Sequence, residues 1–108
     1  MEITRQLLDQ VIDIAHLAGQ AILDVYHDKE GFDTKTKADN SPVTRADLAA
    51  HAIIDPALAA LDPEVPVLSE EATMPDYEIR STWRQYWIID PLDGTKEFIK
   101  RNGEFTVN

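Results

Sequence analysis

The sequence of 108 residues contains no cysteine, which excludes disulfide bonds, thiolate nucleophiles and metal sites built on cysteine. Positive charge is scarce as well: 10 lysine and arginine residues face 20 aspartate and glutamate residues, a formal net charge of -10. This balance argues against nucleic-acid binding, because phosphate backbones attract basic surfaces. An acidic protein can still bind a phosphorylated small molecule when metal cations neutralise both partners.

The sequence also lacks long apolar runs. No run approaches the roughly 20 residues that span a bilayer, and no apolar segment follows the first five residues as it would in a signal peptide. Together with the absence of cysteine, this predicts a cytoplasmic protein. The composition, 44% hydrophobic and 28% charged, is that of a globular domain.

The chain shows no repeat, no low-complexity segment and no domain boundary, so residues 1–108 are expected to belong to a single folding unit. Residues 104–108 read as the start of a strand. Because a core strand needs hydrogen-bonding partners, this predicts that the sequence is the N-terminal portion of a larger unit.

Two amphipathic helices are predicted in the first half. Apolar residues recur at spacings of three and four from Ile3 to Val25, which indicates a helix of six or seven turns. Thr44 and Asp47 have the spacing of a capping box, so a second helix begins there, and Pro56 is expected to kink or restart it. The expected core positions of the second helix are Leu48, Ala52, Ile53 and Leu58.

Short strands are expected between the helices. Residues 33–37 alternate like an exposed strand, residues 39–42 have turn chemistry, and residues 65–68 form a strand that leads into Ser69-Glu70-Glu71. Residues 86–90 form another strand, which is apolar on both faces and therefore expected to be buried. The alternation of helices and strands predicts an α/β fold in which helices are layered against a sheet.

The segment from Asp90 to Thr95 is the most informative. Pro91 helps to end the buried strand at Asp90, and Gly94 allows a tight turn and the close approach of a ligand. Thr95 can open a helix whose free N–H groups suit a phosphate. Asp90 and Asp93 repel each other when crowded, unless cations lie between them, and the Leu92 carbonyl adds a hard oxygen of the kind that magnesium prefers. A solvated acidic turn is the alternative.

Other acids stand in comparable positions. Glu70 and Glu71 also follow a hydrophobic strand, so neighbouring strands of one sheet would bring Glu70 near Asp90. Two adjacent glutamates are more often merely solvated, and Asp47 has an alternative role as a helix cap.

Several other sites are not supported. The sequence has no P-loop, no dinucleotide-binding glycine motif and no Gly-x-Ser-x-Gly nucleophile elbow. His16, His27 and His51 lack metal-ligand spacing. Phosphatases of the haloacid dehalogenase type carry two acids after a strand, but here the acids are one residue further apart and lie far from the N-terminus.

Three motifs in order resemble the lithium-sensitive, magnesium-dependent phosphatases of the inositol monophosphatase superfamily: residues 42–47, Ser69-Glu70-Glu71 and residues 87–95. Residues 37–44 and 93–108 are most similar to bisphosphate nucleotidases of the bacterial sulfur-assimilation type. The resemblance implies the N-terminal part of an αβαβα fold whose helices pack against a mostly antiparallel sheet. Complete relatives are more than twice as long.

The resemblance also implies site residues, with two or three Mg²⁺ ions and sensitivity to lithium. The implied metal ligands are Glu70, Asp90, the Leu92 carbonyl and Asp93; the implied substrate contacts are Glu70, Leu92, Asp93, Gly94 and Thr95; the implied catalytic pair, which orients the attacking water, is Asp47 and Thr95. Glu71 would only support the metal ligands.

The implied reaction is hydrolysis of the 3′-phosphate of 3′-phosphoadenosine 5′-phosphate to give AMP. The alternatives are an inositol- or sugar-phosphate phosphatase, or a metal-binding fragment that is inactive alone. The resemblance further implies a homodimer and a peripheral position on the cytoplasmic face of the inner membrane, for which no basic amphipathic helix is visible.

Overall fold

The computed structural model describes residues 1–28, 31–32, 34–37 and 42–108. The elements are, in chain order, α1 (Arg5–Tyr26), β1 (Lys35–Thr36), β2 (Pro42–Val43), α2 (Arg45–Leu61), β3 (Val67–Ser69), α3 (Tyr77–Arg80), β4 (Trp87–Ile89) and α4 (Thr95–Ile99). None of the helices in these ranges is long and apolar enough to cross a membrane.

The α/β class is confirmed, with short strands set between helices. Strands β1 and β2 pair antiparallel, whereas β3 and β4 pair parallel. The expected sheet was mostly antiparallel, but the described strand pairs are divided between the two orientations. The predicted strand over residues 33–37 is confirmed at Lys35 and Thr36. The predicted turn at 39–42 lies largely outside the described residues.

Thr4 caps the N-terminus of helix α1: its hydroxyl accepts a hydrogen bond from the Leu7 N–H at 3.1 Å. Its buried residues, Ala18, Ile22 and Val25, all lie in the C-terminal half, and α1 packs chiefly on α2. The N-terminal half is largely uncovered, so the expectation that Ile3 belongs to the core is wrong: its side chain is 82% exposed.

Helix α2 confirms the capping box and the burial of Leu58, but its buried face is rotated away from the other predicted core positions. Leu48 and Ala52 are exposed, and Ile53 is half-buried. The cap fixes the rotation of the helix by turning Asp47 inward, and the small side chains beside it allow close packing. The buried residues of this face are Ala46, Asp47, Ala50, Ile54 and Leu58.

Pro56 does not end α2, which continues to Leu61. The ring lies on the exposed side of the helix. A proline in a helix interior removes one backbone hydrogen bond and crowds the preceding turn, at a cost of about 3 kcal/mol relative to alanine. The expected restart of the helix at Pro56 is wrong, because α2 continues through this residue.

We expect Pro56→Ala to stabilise the whole protein by about 1–2 kcal/mol, since the helix is already continuous and an exposed alanine creates no clash. Urea unfolding followed by circular dichroism would measure the gain. Pro63→Ala is the matched control, because Pro63 is exposed but lies beyond the helix, where proline restricts the unfolded chain. Equal effects of the two changes would contradict the helix-based explanation.

Strand β4 is buried on one face only. Ile89 points into the core and is 7% exposed, whereas the Ile88 side chain is 74% exposed. The expectation of a strand buried on both faces is therefore wrong. Alternation along a strand sends neighbouring side chains to opposite faces, and no described element covers the face that carries Ile88.

An aromatic cluster fixes α4 against the C-terminal end of α1. The Phe98 ring is fully buried, with its centroid 4.5 Å from that of Phe32 and 5.1 Å from that of Phe105. The Arg101 guanidinium lies 4.4 Å from the centroid of the Phe32 ring and donates a hydrogen bond to the Tyr26 carbonyl at 2.7 Å. This packing sets the position of the first residue of α4, Thr95.

Candidate active site

The parallel pair β3–β4 brings the first acids together. Ser69 and Ile89 are register partners, and the Glu70 N–H donates a hydrogen bond to the Ile89 carbonyl at 3.2 Å. Since parallel strands end at the same edge, Glu70 and Asp90 emerge side by side. This is the neighbourhood that the sequence predicted from two hydrophobic strands that both end in acids.

Backbone hydrogen bonds from Thr106 and Asn108 hold the turn that follows β4. The Asp90 N–H donates to the Asn108 carbonyl at 2.6 Å, and the Asn108 N–H donates back at 3.0 Å. Asp93 and Thr106 exchange the same pair of bonds at 2.8 and 3.0 Å. The Asn108 side-chain amide also donates to the Asp93 carboxylate at 3.2 Å. Both aspartates are therefore fixed through their backbones, and both line the cleft described below.

Two observations explain why this turn needs glycine at position 94. Its φ angle of 91° lies in the left-handed region, which side chains disfavour. A Cβ atom at this position would stand 2.7 Å from the Glu104 carbonyl oxygen, closer than real contacts allow. Any other residue at position 94 would therefore push the Glu104 backbone away from this turn.

We expect Gly94→Ala to destabilise the whole protein by about 2 kcal/mol or more, from left-handed strain plus the clash with the Glu104 backbone. Gly103→Ala is the matched control: its φ angle is 79°, but nothing lies within 4 Å of the added atom. Gly103→Ala should therefore show the cost of strain alone, about 1 kcal/mol. Equal losses in a thermal unfolding experiment would contradict the steric part of the explanation.

Asp47 and Thr95 form a direct pair. The Thr95 hydroxyl donates to Asp47 Oδ1 at 2.8 Å, and the Leu92 carbonyl lies 3.3 Å from the same hydroxyl. Asp47 Oδ2 accepts from the Thr44 N–H at 2.8 Å and from the Thr44 hydroxyl at 2.6 Å. Asp47 is 1% exposed. One carboxylate oxygen thus serves the helix cap and the other holds Thr95, so the cap and the site roles are compatible.

The electrostatics of the cleft are those of crowded acids. Burial, followed by the negative charges of Asp93 and Glu70, raises the pKa of the Asp90 carboxyl to about 6. Burial also raises the pKa of Glu71, against the opposing effect of the Lys37 ammonium. Without a cation, this region therefore holds more negative charge than it stabilises.

Lys37 and Glu71 form an ion pair that sequence reasoning missed. The Lys37 ammonium lies 3.4 Å from Glu71 Oε1 and 3.4 Å from the Glu70 carbonyl oxygen. The Glu71 side chain is only 3% exposed, so it does not face the solvent as adjacent glutamates usually do. Lys37 begins the segment 37–44 noted in the sequence, but nothing there showed that it contacts a residue 34 positions later.

The predicted residues line one cleft of about 360 Å³. Asp47 does not line the cleft, but its carboxylate accepts a hydrogen bond from Thr95, which does. The cleft combines acidic side chains with the tight turn and four positions outside the predicted set, which are Lys37, Pro42, Lys96 and Glu97. It is lined by Lys37, Pro42, Glu70, Glu71, Asp90, Leu92, Asp93, Gly94, Thr95, Lys96 and Glu97.

The donor set fits a hard divalent cation. Carboxylate and carbonyl oxygens are the ligands that Mg²⁺ prefers, and a cation between the acids would relieve the repulsion that raises the pKa of Asp90. Within the described ranges, no three acidic or histidine side chains are already arranged as a complete metal cage. The fit therefore rests on the chemistry of the donors and their charge, and the side chains would have to turn inward on binding.

Comparison with known proteins finds similar sequences and structures along almost the whole chain. The 3′(2′),5′-bisphosphate nucleotidase CysQ of Escherichia coli K12 is 60% identical over 102 residues, which are 94% of this chain and 41% of that protein. The crystal structure of CysQ from Bacteroides thetaiotaomicron superposes with a TM-score of 0.77 at 52% identity, covering 96% of this chain and 36% of that one. The chain thus spans about two fifths of the length of these relatives.

A more distant structure is an IMPase/NADP phosphatase complexed with Mg²⁺ and phosphate. It superposes with a TM-score of 0.68 at 25% identity and covers 94% of this chain and 38% of its own. The profile of the inositol monophosphatase family matches residues 4–108. From its sequence, and from a fold that it shares with these structures, the chain belongs to the inositol monophosphatase family.

Proposed function

We propose that the whole protein is a magnesium-dependent phosphomonoester hydrolase that removes the 3′-phosphate of 3′-phosphoadenosine 5′-phosphate, yielding AMP and phosphate. The observation that carries this proposal is the Thr95 hydroxyl, held at 2.8 Å by the buried Asp47 carboxylate on the wall of an acidic cleft. A hydroxyl in this position is built to act on a water molecule beside a phosphate.

Glu70, Asp90, the Leu92 carbonyl and Asp93 would hold the magnesium ions. When bound, magnesium lowers the pKa of water and neutralises charge on phosphate oxygens. The magnesium and phosphate of the IMPase/NADP phosphatase support a divalent cofactor in this fold. The raised pKa of Asp90 supports it independently. A partly buried carboxyl that neighbouring acids repel is stabilised by a bound cation.

Asp47 and Thr95 would orient the attacking water. The Thr95 proton points to Asp47 Oδ1, so the lone pairs of the hydroxyl oxygen are left to accept a proton from water in the cleft. Asp47 cannot rotate freely, because Thr44 occupies its other oxygen through two hydrogen bonds. Water attacks phosphorus and gives up one proton through the Thr95 hydroxyl to Asp47. The bond to the 3′-oxygen breaks, and the leaving oxygen takes up a proton from solvent water.

The choice of a nucleotide substrate is supported by the bisphosphate nucleotidases that share 60% identity with this chain. Glu70, Leu92, Asp93, Gly94 and Thr95 line the cleft where the scissile phosphate would lie. The rest of the substrate would contact parts of the whole protein beyond residue 108. A nucleotide substrate of this kind also supports a cytoplasmic location.

The test is phosphate release by the purified whole protein. We expect hydrolysis of 3′-phosphoadenosine 5′-phosphate, with a kcat/KM at least tenfold above that for inositol 1-phosphate, and loss of both activities when magnesium is chelated. Preference for the inositol ester would contradict the nucleotide substrate and favour the alternative, an inositol-phosphate phosphatase. Activity that survives chelation would overturn the metal-dependent proposal.

The 108-residue chain should be assayed beside the whole protein. If the chain binds magnesium but releases no phosphate while the whole protein does, the site residues described here hold the metal without completing the catalytic centre. This is the outcome expected for the metal-binding fragment that the sequence left open.

A further inference from the structure

His51 contacts the segment that carries Glu70 and Glu71. Its Nδ1 lies 2.8 Å from the Ser69 hydroxyl oxygen, and the same oxygen accepts the Glu71 N–H at 3.2 Å. Both His51 and Ser69 are half-buried. A side chain of α2 is thus connected, through one hydroxyl, to the backbone of the turn that ends β3.

Two hydrogen bonds meet at the Ser69 hydroxyl. Its oxygen accepts from the Glu71 N–H at 3.2 Å and lies 2.8 Å from His51 Nδ1. Together these contacts restrain the rotation of the Ser69 side chain, and with it the direction of the Glu71 N–H.

His51 and Asp47 are four residues apart on α2, so they project from the same side of consecutive turns. Asp47 holds Thr95, in the turn after β4, and His51 holds Ser69, at the end of β3. The two acid-bearing segments are therefore each fixed to one rigid helix. The spacing of Glu70 from Asp90 depends on that helix as well as on the strand register.

We propose that His51 is a positioning residue that holds the 69–71 turn, through the Ser69 hydroxyl, so that Glu70 is placed to bind a divalent cation. The inference rests on the proposed magnesium site, but it does not require that the substrate is a nucleotide. His51 does not touch the reacting atoms. Its effect passes entirely through Ser69.

The experiment measures Mg²⁺ binding to the whole protein by calorimetry, in the absence of substrate. We expect His51→Leu and Ser69→Ala each to weaken binding about threefold to tenfold, because both remove the His51–Ser69 hydrogen bond, and Ser69→Ala also removes the bond from the Glu71 N–H. The double variant should be no weaker than Ser69→Ala, since His51 acts only through Ser69. His51→Asn, whose amide can reach the Ser69 hydroxyl as Nδ1 does, should restore most of the affinity.

A purely structural role would give a different pattern. His51→Leu would then lower the melting temperature with Mg²⁺ affinity unchanged within twofold, and that result would overturn the proposal. If His51→Leu does not fold, Ser69→Ala decides the question. Unchanged Mg²⁺ affinity in Ser69→Ala would also refute the proposal.

The result is separable from the proposed function. A protein that binds Mg²⁺ as described but fails to release phosphate would refute the phosphatase and leave the positioning role of His51 intact. A protein that hydrolyses the nucleotide, but whose Mg²⁺ affinity is unchanged by the His51 and Ser69 substitutions, would support the phosphatase and refute the positioning role of His51.

Discussion

Asp90→Asn is expected to abolish phosphate release by the whole protein and, at the same time, to stabilise its metal-free form. The loss in kcat should be about 1,000-fold or more at saturating magnesium, because a metal ligand supports several kcal/mol of the catalysis. The gain in stability follows from removing one of the charges that repel each other between Glu70 and Asp93.

The size and sign of the gain follow from the pKa of Asp90. The folded-state value of about 6 lies above the ordinary value of 3.8, so the metal-free fold binds this proton more tightly than the unfolded chain does. Stability is therefore lost as pH rises from about 4 to about 6. At about 1.4 kcal/mol per pKa unit the shift corresponds to about 3 kcal/mol, which solvent screening at a partly exposed carboxyl reduces to about 1 kcal/mol.

The measurement is urea unfolding of both proteins in the presence of a chelator. Asp90→Asn should be more stable at pH 7.5, and its advantage should shrink at pH 5, where the unaltered carboxyl is already protonated. Asp13→Asn is the matched control, since Asp13 is exposed on α1 and distant from the cleft in sequence. Loss of stability at pH 7.5 in the metal-free Asp90 variant would contradict the picture of repelling acids.

Thr95→Ala is expected to lower kcat about 100-fold or more, with KM changed by less than threefold. The Thr95 hydroxyl is positioned by Asp47 to act on water, and positioned proton acceptors contribute about 100-fold to 10,000-fold. The substrate is bound mainly through its phosphate and the cations, which this change leaves in place. Steady-state kinetics of the whole protein at saturating magnesium would measure both constants.

Thr95→Ser is the matched control, because it keeps the hydroxyl that Asp47 accepts from and removes only a methyl group. It should retain activity within about tenfold of the unaltered protein. If Thr95→Ala raised KM and left kcat unchanged, the hydroxyl would be a substrate contact, and the role proposed for the Asp47–Thr95 pair would be wrong.

Local chemistry made some features predictable from the sequence. The capping box at Thr44 and Asp47 is formed by neighbouring residues, so its spacing alone gave the start of α2. The ends of β3 and β4 followed from apolar runs interrupted by Glu70 and Asp90, and the structure confirms that these acids emerge side by side. The need for glycine at Gly94 followed from the turn, although its contact with the Glu104 backbone did not.

Burial was harder to predict, because it depends on what lies opposite. Periodicity predicted a core face on each helix, yet Ile3 and Leu48 are exposed. In α1 the described chain leaves the N-terminal half largely uncovered, and in α2 the inward rotation of Asp47 moves the apolar stripe. The same reason explains Ile88, whose apolar character indicated a buried strand face that no described element covers.

By itself, the sequence determined the two long helices, the acids at the ends of β3 and β4 and the family, because these depend on residues that are close along the chain. Helix α3 was not predicted, since residues 74–84 read as irregular. Only the tertiary structure decided which distant groups meet: Thr95 with Asp47, Lys37 with Glu71, and His51 with Ser69. These pairs are separated by 48, 34 and 18 residues. Their contact depends on how helices and strands pack, a property that no local pattern of residues encodes.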